Sequence, residues 1–228
     1  HKDMLQDLLL FTSSKDQKLT SLAEYVDRMP EDQTCIYYAC GESIARIEAL
    51  PQTELVKDKG YEILYFTDSV DEFAIRMLMK YKDKEFKSVS ANDLNLESEE
   101  EKKELEQKET ESKDMLETMQ KALDGKVAKV KLSGRLKSHP VCLSNEGDLS
   151  MEMAKTLNAM PGVDQPVQAQ TILELNPEHP IYQKLKTLDD EMLGKYSQLL
   201  YNQALLIEGM PIADPVAFSN LICELMEA

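Results

Sequence analysis

Basic charge is scarce in this chain. Its 228 residues hold 26 lysines and arginines against 42 aspartates and glutamates, a formal net charge of −16 with a pI near 4.7. A nucleic-acid binder needs a basic face to meet phosphates, so this balance argues against that class. It suits a protein that must stay dispersed. Cysteine is also scarce. Four cysteines in a chain of this length do not make a disulfide framework. Cys35 and Cys40 sit on one apolar run and point to opposite faces of a strand, so they cannot share a metal there. Cys142 and Cys223 have apolar neighbours and read as small buried hydrophobes. A reducing cytoplasm fits, and cytoplasmic is the expected location. The three histidines, His1, His139 and His179, lie far apart, and none pairs at metal-ligand spacing. No glycine-rich phosphate loop follows a strand, since Gly41 stands alone. No signal peptide is visible, and no apolar run approaches the roughly 20 residues that span a bilayer. Neither a catalytic constellation nor a metal site is therefore expected, and neither is a membrane partner.

What is present is concentrated between Cys35 and Leu78. Cys35-Ile36-Tyr37-Tyr38-Ala39-Cys40 is an apolar run of β-formers, broken by Gly41. A helical stretch follows from Glu42 to Lys59, interrupted at Pro51 and closed by Gly60. Tyr61 to Phe66 reads as the next strand. Asp68 or Ser69 is placed to cap a helix running to about Lys80. Two strands joined by a helix should lie parallel. Phe86 to Val89 adds a short third strand.

These residues resemble a known family. Ile36-Tyr37-Tyr38 with Gly41-Glu42-Ser43, then Lys59-Gly60-Tyr61-Glu62-Ile63-Leu64, then Thr67-Asp68-x-x-Asp71-Glu72-Phe73, look like the middle region of the ninety-kilodalton heat-shock chaperones. Leu19-Thr20-Ser21-Leu22, Tyr25-Val26 and Arg28-Met29 precede them in the expected order. Ser150-Met151, Met153-Ala154-Lys155, Leu173-Glu174-Leu175-Asn176-Pro177, His179 and Asp214-Pro215 follow. The bacterial branch is resembled most. The stretch from about Leu94 to Gly125 matches weakly. The chain begins at His1 inside a helical pattern (Met4, Leu5, Leu8, Leu9), so it reads as a piece of something longer. It ends at Met226-Glu227-Ala228 without the acidic tail of eukaryotic members, which favours a bacterial or organellar one.

The rest of the chain organises as follows. Residues 1 to about 30 read as helical, with Ser21 and Glu24 spaced as a capping box before the stripe Leu22, Tyr25, Val26 and Met29. From Glu97 to Asp124, eleven acidic residues face five lysines, and the segment reads as one helix with a solvated start. Strands are expected at Val127 to Leu132, Val141 to Leu143 and Thr171 to Leu175, with a helix from Leu149 to Met160 between the last two. Asp189 to Ile207 and a helix capped by Asp214 close the chain. The fold class expected is α+β with α/β character: a small three-stranded parallel α/β/α unit, then a mixed domain ending in a helical dimerisation module. The domains expected are 1–93, a charged connector 94–125, and 126–228.

Function follows from the resemblance together with the leftover apolar faces. The family places an acidic-aromatic pair at Glu72 and Phe73, in contact with client protein. The plain alternative is that Phe73 packs in the core and Glu72 favours the helix dipole. On the helix Leu149 to Met160, Met151 and Met153 cannot share a face, so Met151, Met153, Leu157 and Met160 leave apolar surface over. The family puts a client-contacting helix there. The tail stripes, Met192, Leu193, Tyr196, Leu200 and Ile207 with Phe218, Leu221, Ile222 and Leu225, are the homodimer candidates, since the family pairs these helices across a two-fold axis. The resemblance implies that ATP and Mg belong to an upstream domain, so the parent is expected to be an ATPase while this segment holds no cofactor. The competing reading is a Rossmann-like small-ligand or enzymatic module on a helical dimerisation domain, with its ligand crevice at Gly41 and Thr67-Asp68.

Overall fold

The computed structural model describes residues 5–162 and 165–227. His1, Met4 and Ala228 lie outside the described residues. The chain divides into two compact units: residues 1–96 with 147–169, and residues 97–146 with 170–228. The charged segment belongs with the second unit from Glu97 onward, and the 147–169 excursion belongs with the first.

The first unit is built on a six-stranded sheet ordered β2-β1-β4-β3-β6-β5. Its centre is the expected parallel trio: β3 (Cys35–Cys40) lies between β4 (Ile63–Phe66) and β6 (Lys84–Ser88). The reason is visible in the residues. Ile36 and Tyr38 pack into a cluster with Leu64, Phe66 and Ile75 on one face. Tyr37 and Ala39 pack with Ile63, Tyr65, Ile47 and Val56 on the other. A strand buried on both faces has no polar alternation to show, so it reads as a continuous apolar run. Helix α1 (Leu22–Asp27) covers the first face together with α4 (Asp71–Leu78). Helices α2 (Ile44–Glu48) and α3 (Glu54–Asp58) cover the second. Pro51 interrupts the α2–α3 stretch with a 3-10 turn over Pro51–Thr53. Gly60 takes φ +73 after α3, a left-handed conformation that favours glycine.

The N-terminal segment corrects the sequence reading. Among the described residues there, Leu5, a 3-10 turn (Gln6–Leu8) and α1 are helical, and the stretch between them is not. Leu10–Ser13 forms β1 and Leu19–Ser21 forms β2. β1 pairs antiparallel with both β2 and β4. The capping box is as expected: Ser21 Oγ accepts from Glu24 N–H, and the Glu24 carboxylate accepts from Ser21 N–H at 2.8 Å. A second antiparallel strand, β5 (Lys80–Tyr81), closes the other edge. Neither Asp68 nor Ser69 caps α4. The N-cap is Val70, with no side-chain cap, and Asp68 instead accepts from Val70 N–H within the preceding turn.

The second unit holds a three-stranded sheet ordered β7-β9-β8: β7 (Lys129–Leu132), β8 (Val141–Glu146) and β9 (Gln170–Leu175). The expected single charged helix is two, α5 (Glu99–Glu111) and α6 (Lys113–Ala122), broken at Ser112. α5 buries none of its side chains, whereas α6 buries Leu116 and Met119. In the first unit, α7 (Met151–Asn158) is the helix of the 147–169 excursion. The second unit continues with α8 (Pro180–Leu185), which the sequence reading did not include. α9 (Asp190–Ile207) is capped by Asp189 and packs on α6 and β8. α10 (Pro215–Glu227) follows, with Asp214 Oδ1 accepting from Ala217 N–H at 2.9 Å. Among the described residues no helix is long and apolar enough to cross a membrane.

Candidate functional site

The carboxyl ends of β3 and β4 lead into Gly41 and Thr67-Asp68. Gly41 is required by close approach: a Cβ there would lie 2.8 Å from Ile47 Cγ1. In the first turn of α4, Glu72 is only 3% exposed. It accepts hydrogen bonds from the Tyr38 hydroxyl at 3.0 Å and the Ser150 hydroxyl at 2.5 Å. Arg76, one turn further along, lies 3.5 Å from Glu72 and 3.6 Å from Asp148. The buried carboxylate is thus satisfied from three directions, as burial of a charge demands. Burial, with Glu72 adding to it, pushes the Tyr38 phenol and the Cys40 thiol well up.

Ser150 also caps α7, accepting from Met153 N–H at 3.1 Å. Met151 and Ala154 face inward and are buried. Met153 and Leu157 are half-buried, and Met160 is exposed. Lys155 Nζ sits 2.6 Å from the Glu42 carboxylate. Burial raises the Glu152 carboxyl against the pull of Lys155. α7 and the strand ends flank a half-open crevice of about 280 Å³ lined by Cys40, Phe66, Glu72, Glu152 and Met153, among others.

The structure therefore brings Glu72 together with Ser150 and the α7 residues. Phe73 beside it is half-buried. The sequence reading missed Tyr38, Arg76 and Ser150 as partners of Glu72. It also missed Met77, which is 80% exposed four residues after Phe73, a spacing that shares one helix face. Among the described residues no group of three His, Cys, Asp or Glu could hold a metal.

The tail candidates separate into two groups. Leu193, Tyr196 and Leu200 are buried within their own unit, while Met192 and Ile207 are half-buried. On α10, Phe218, Leu221, Ile222 and Leu225 are all half-buried, and no described residue of the helix is buried.

Compared with known proteins, the family model described as Hsp90 protein matches residues 1–228. The chain belongs to the Hsp90 family. Chaperone protein HtpG of Bacillus velezensis is 58% identical over 229 residues, covering 99% of this chain and 36% of its own length. Its namesake from Bacillus subtilis is 57% identical over the same share of each. HtpG of Clostridium botulinum strain Langeland is 58% identical over 230 residues, covering 100% of this chain and 37% of its own. The chain thus spans little more than a third of these Hsp90 relatives. It is a chaperone-family chain of the heat-shock class, as the sequence motifs indicate.

Several of those family motifs have a structural reason here. Arg28 clasps the Glu62 carboxylate with Nε at 2.7 Å and a second guanidinium nitrogen at 2.5 Å. Tyr25 donates to the Glu62 carbonyl at 2.6 Å while accepting from Gln33 and from Tyr37 N–H. His179 caps α8, accepting from Ile181 N–H at Nδ1.

Proposed function

We propose that this segment holds non-native protein and pairs with a second copy of itself, inside a longer ATP-driven chaperone whose ATP and Mg are bound elsewhere in the parent chain. The observation that carries this reading is the apolar surface left uncovered on an acidic molecule. Val70, Met77 and Met160 are 57%, 80% and 46% exposed on the first unit, and α10 leaves its apolar stripe only half-buried on the second. Exposed apolar surface of this kind marks interaction sites. Methionine is flexible and polarizable, so it suits contacts that must accept many sequences. A net charge of −16 would keep the loaded complex dispersed. The same reading puts the parent in the cytoplasm, with neither membrane nor nucleic acid as partner.

The test is a substitution series on α7 and α4. Met153→Ser, Leu157→Ser, Met160→Ser and Phe73→Ser should leave the melting temperature within a few degrees and reduce suppression of aggregation of a denatured test protein. Met151→Ala is the contrast. It removes a buried side chain and should cost about 2–5 kcal/mol. Should all five lose stability together, with holding tracking only the folded fraction, the client surface lies elsewhere.

The segment by itself should show no saturable binding of Mg-ATP by calorimetry. Its strand-end crevice is ringed by Glu42, Asp68, Glu72 and Glu152 against Lys155, a field that repels polyphosphate. Micromolar, Mg-dependent binding would favour the small-ligand module instead.

A further inference from the structure

We propose that α7 is a displaceable strap, latched over the carboxyl ends of β3 and β4 by the Ser150–Glu72–Tyr38 hydrogen bonds and the Lys155–Glu42 ion pair, whose release uncovers buried Phe66 and the covered part of half-buried Cys40 and widens the crevice between them. Its functional meaning, a holding surface kept covered until the strap opens, rests on the client-holding reading above.

Four observations carry it. The apolar footprint of α7 is small: of its eight residues only Met151 and Ala154 are buried. A helix this short has little stability of its own, so its order depends on what it docks against. The anchors are polar and sit at the two ends: Ser150 on buried Glu72 at 2.5 Å, and Lys155 on exposed Glu42 at 2.6 Å. The crevice of about 280 Å³ beneath the helix shows that α7 covers the strand ends without filling the space against them, unlike the close-packed clusters on the sheet faces. The segment also has the means to move as a unit. Gly147 and Gly162 take φ +78 and +88 on either side of α7. The Asn158 side chain exchanges two hydrogen bonds of 2.8 Å with the Val167 backbone, tying the helix end to the returning chain.

The reporter is alkylation of Cys40 by iodoacetamide, mapped by peptide mass spectrometry in the intact chain. Cys142, buried in the second unit, is the internal control for global unfolding there. Ser150→Ala removes the latch and also the α7 cap, whereas Lys155→Glu turns the other anchor into a repulsion and leaves the cap in place. Each should raise the Cys40 rate roughly tenfold, the change expected from losing one charge-assisted bond. Cys142 should stay protected, and Ser150→Thr, which keeps the hydroxyl, should label near the wild-type rate. Cys40 rates unchanged in both disrupting variants overturn the strap. Cys40 and Cys142 rising together also overturn it, because the whole chain has then loosened. Suppression of aggregation is measured on the same samples. Faster Cys40 labelling with unchanged suppression upholds the strap and removes α7 from the client surface, so the two readings fail separately.

Discussion

Replacing Glu174 by Gln should destabilise the second unit by about 3–5 kcal/mol near neutral pH, the cost of breaking a buried ion pair from one side. Glu174 is 1% exposed at the centre of the sheet, on β9 between β7 and β8. Arg135 Nε approaches it at 3.1 Å with a side chain 4% exposed, and Lys131 Nζ at 3.4 Å. Ser133 and Ser144 donate to its two oxygens at 2.8 and 2.6 Å. Neutralising the carboxylate takes the counter-charge from a guanidinium that is already out of water. A double substitution, Glu174→Leu with Arg135→Met, should recover much of the loss, because two apolar side chains of similar volume need no partners.

The same network fixes a pH dependence. Burial alone would raise the Glu174 carboxyl, but Arg135, Lys131 and the two serine hydroxyls outweigh it and hold the group below the usual carboxylate range. A folded-state pKa below the unfolded one gives stability that is fully present above the unfolded value, about 4.3, and lost as pH falls through the folded one. Urea unfolding from pH 7 to pH 3 should therefore show wild type and Glu174→Gln converging at the acid end. A constant gap across that range would mean that the charge is not what the substitution removes.

Glu174 also shows why some of this molecule is legible in sequence and some is not. In the run Thr171-Ile172-Leu173-Glu174-Leu175 the alternation suggests an outward carboxylate, yet sheet and arginine enclose it, and only a tertiary partner forty residues away explains that. The parallel trio was legible because strands buried on both faces leave continuous apolar runs. The edge strands were not. Leu5 and the 3-10 turn Gln6–Leu8 are helical, so the spacing of Leu5, Leu8 and Leu9 hides that β1 begins at Leu10, and the turn before β2 has neither Gly nor Pro. It is made by Gln17 at φ 56 and by Asp16 accepting from Lys18 N–H. The break at Ser112 is hidden for the same reason, since its hydroxyl pairs with Tyr182 seventy residues on. Asp68 looked like a helix cap because an Asx turn and an N-cap use the same side-chain chemistry. At the candidate site, Glu72 could be found from its motif, but its partners Tyr38 and Ser150 come from other elements and no local spacing points to them.

The remaining large effect concerns pairing. If two copies associate through α10, Leu221→Asp combined with Ile222→Asp should weaken the dimer by roughly three orders of magnitude or more, since each unpaired buried charge costs several kcal/mol and a two-fold interface carries every substitution twice. Phe218, Leu221, Ile222 and Leu225 lie at i, i+3, i+4 and i+7, the spacing of a single helix face. All four are half-buried and none is fully buried within its own unit, so charge placed there should cost the protomer far less than it costs the dimer. Leu200 is the wrong residue for this test: it is 1% exposed on the buried face of α9, and an aspartate there would unfold the unit whether or not it dimerises. Sedimentation velocity at micromolar concentration should show a folded monomer for the α10 double variant and a dimer for wild type, with matching circular dichroism. A wild-type chain that sediments as a monomer, or a variant that remains a dimer, would remove α10 from the interface and leave its apolar face to another partner.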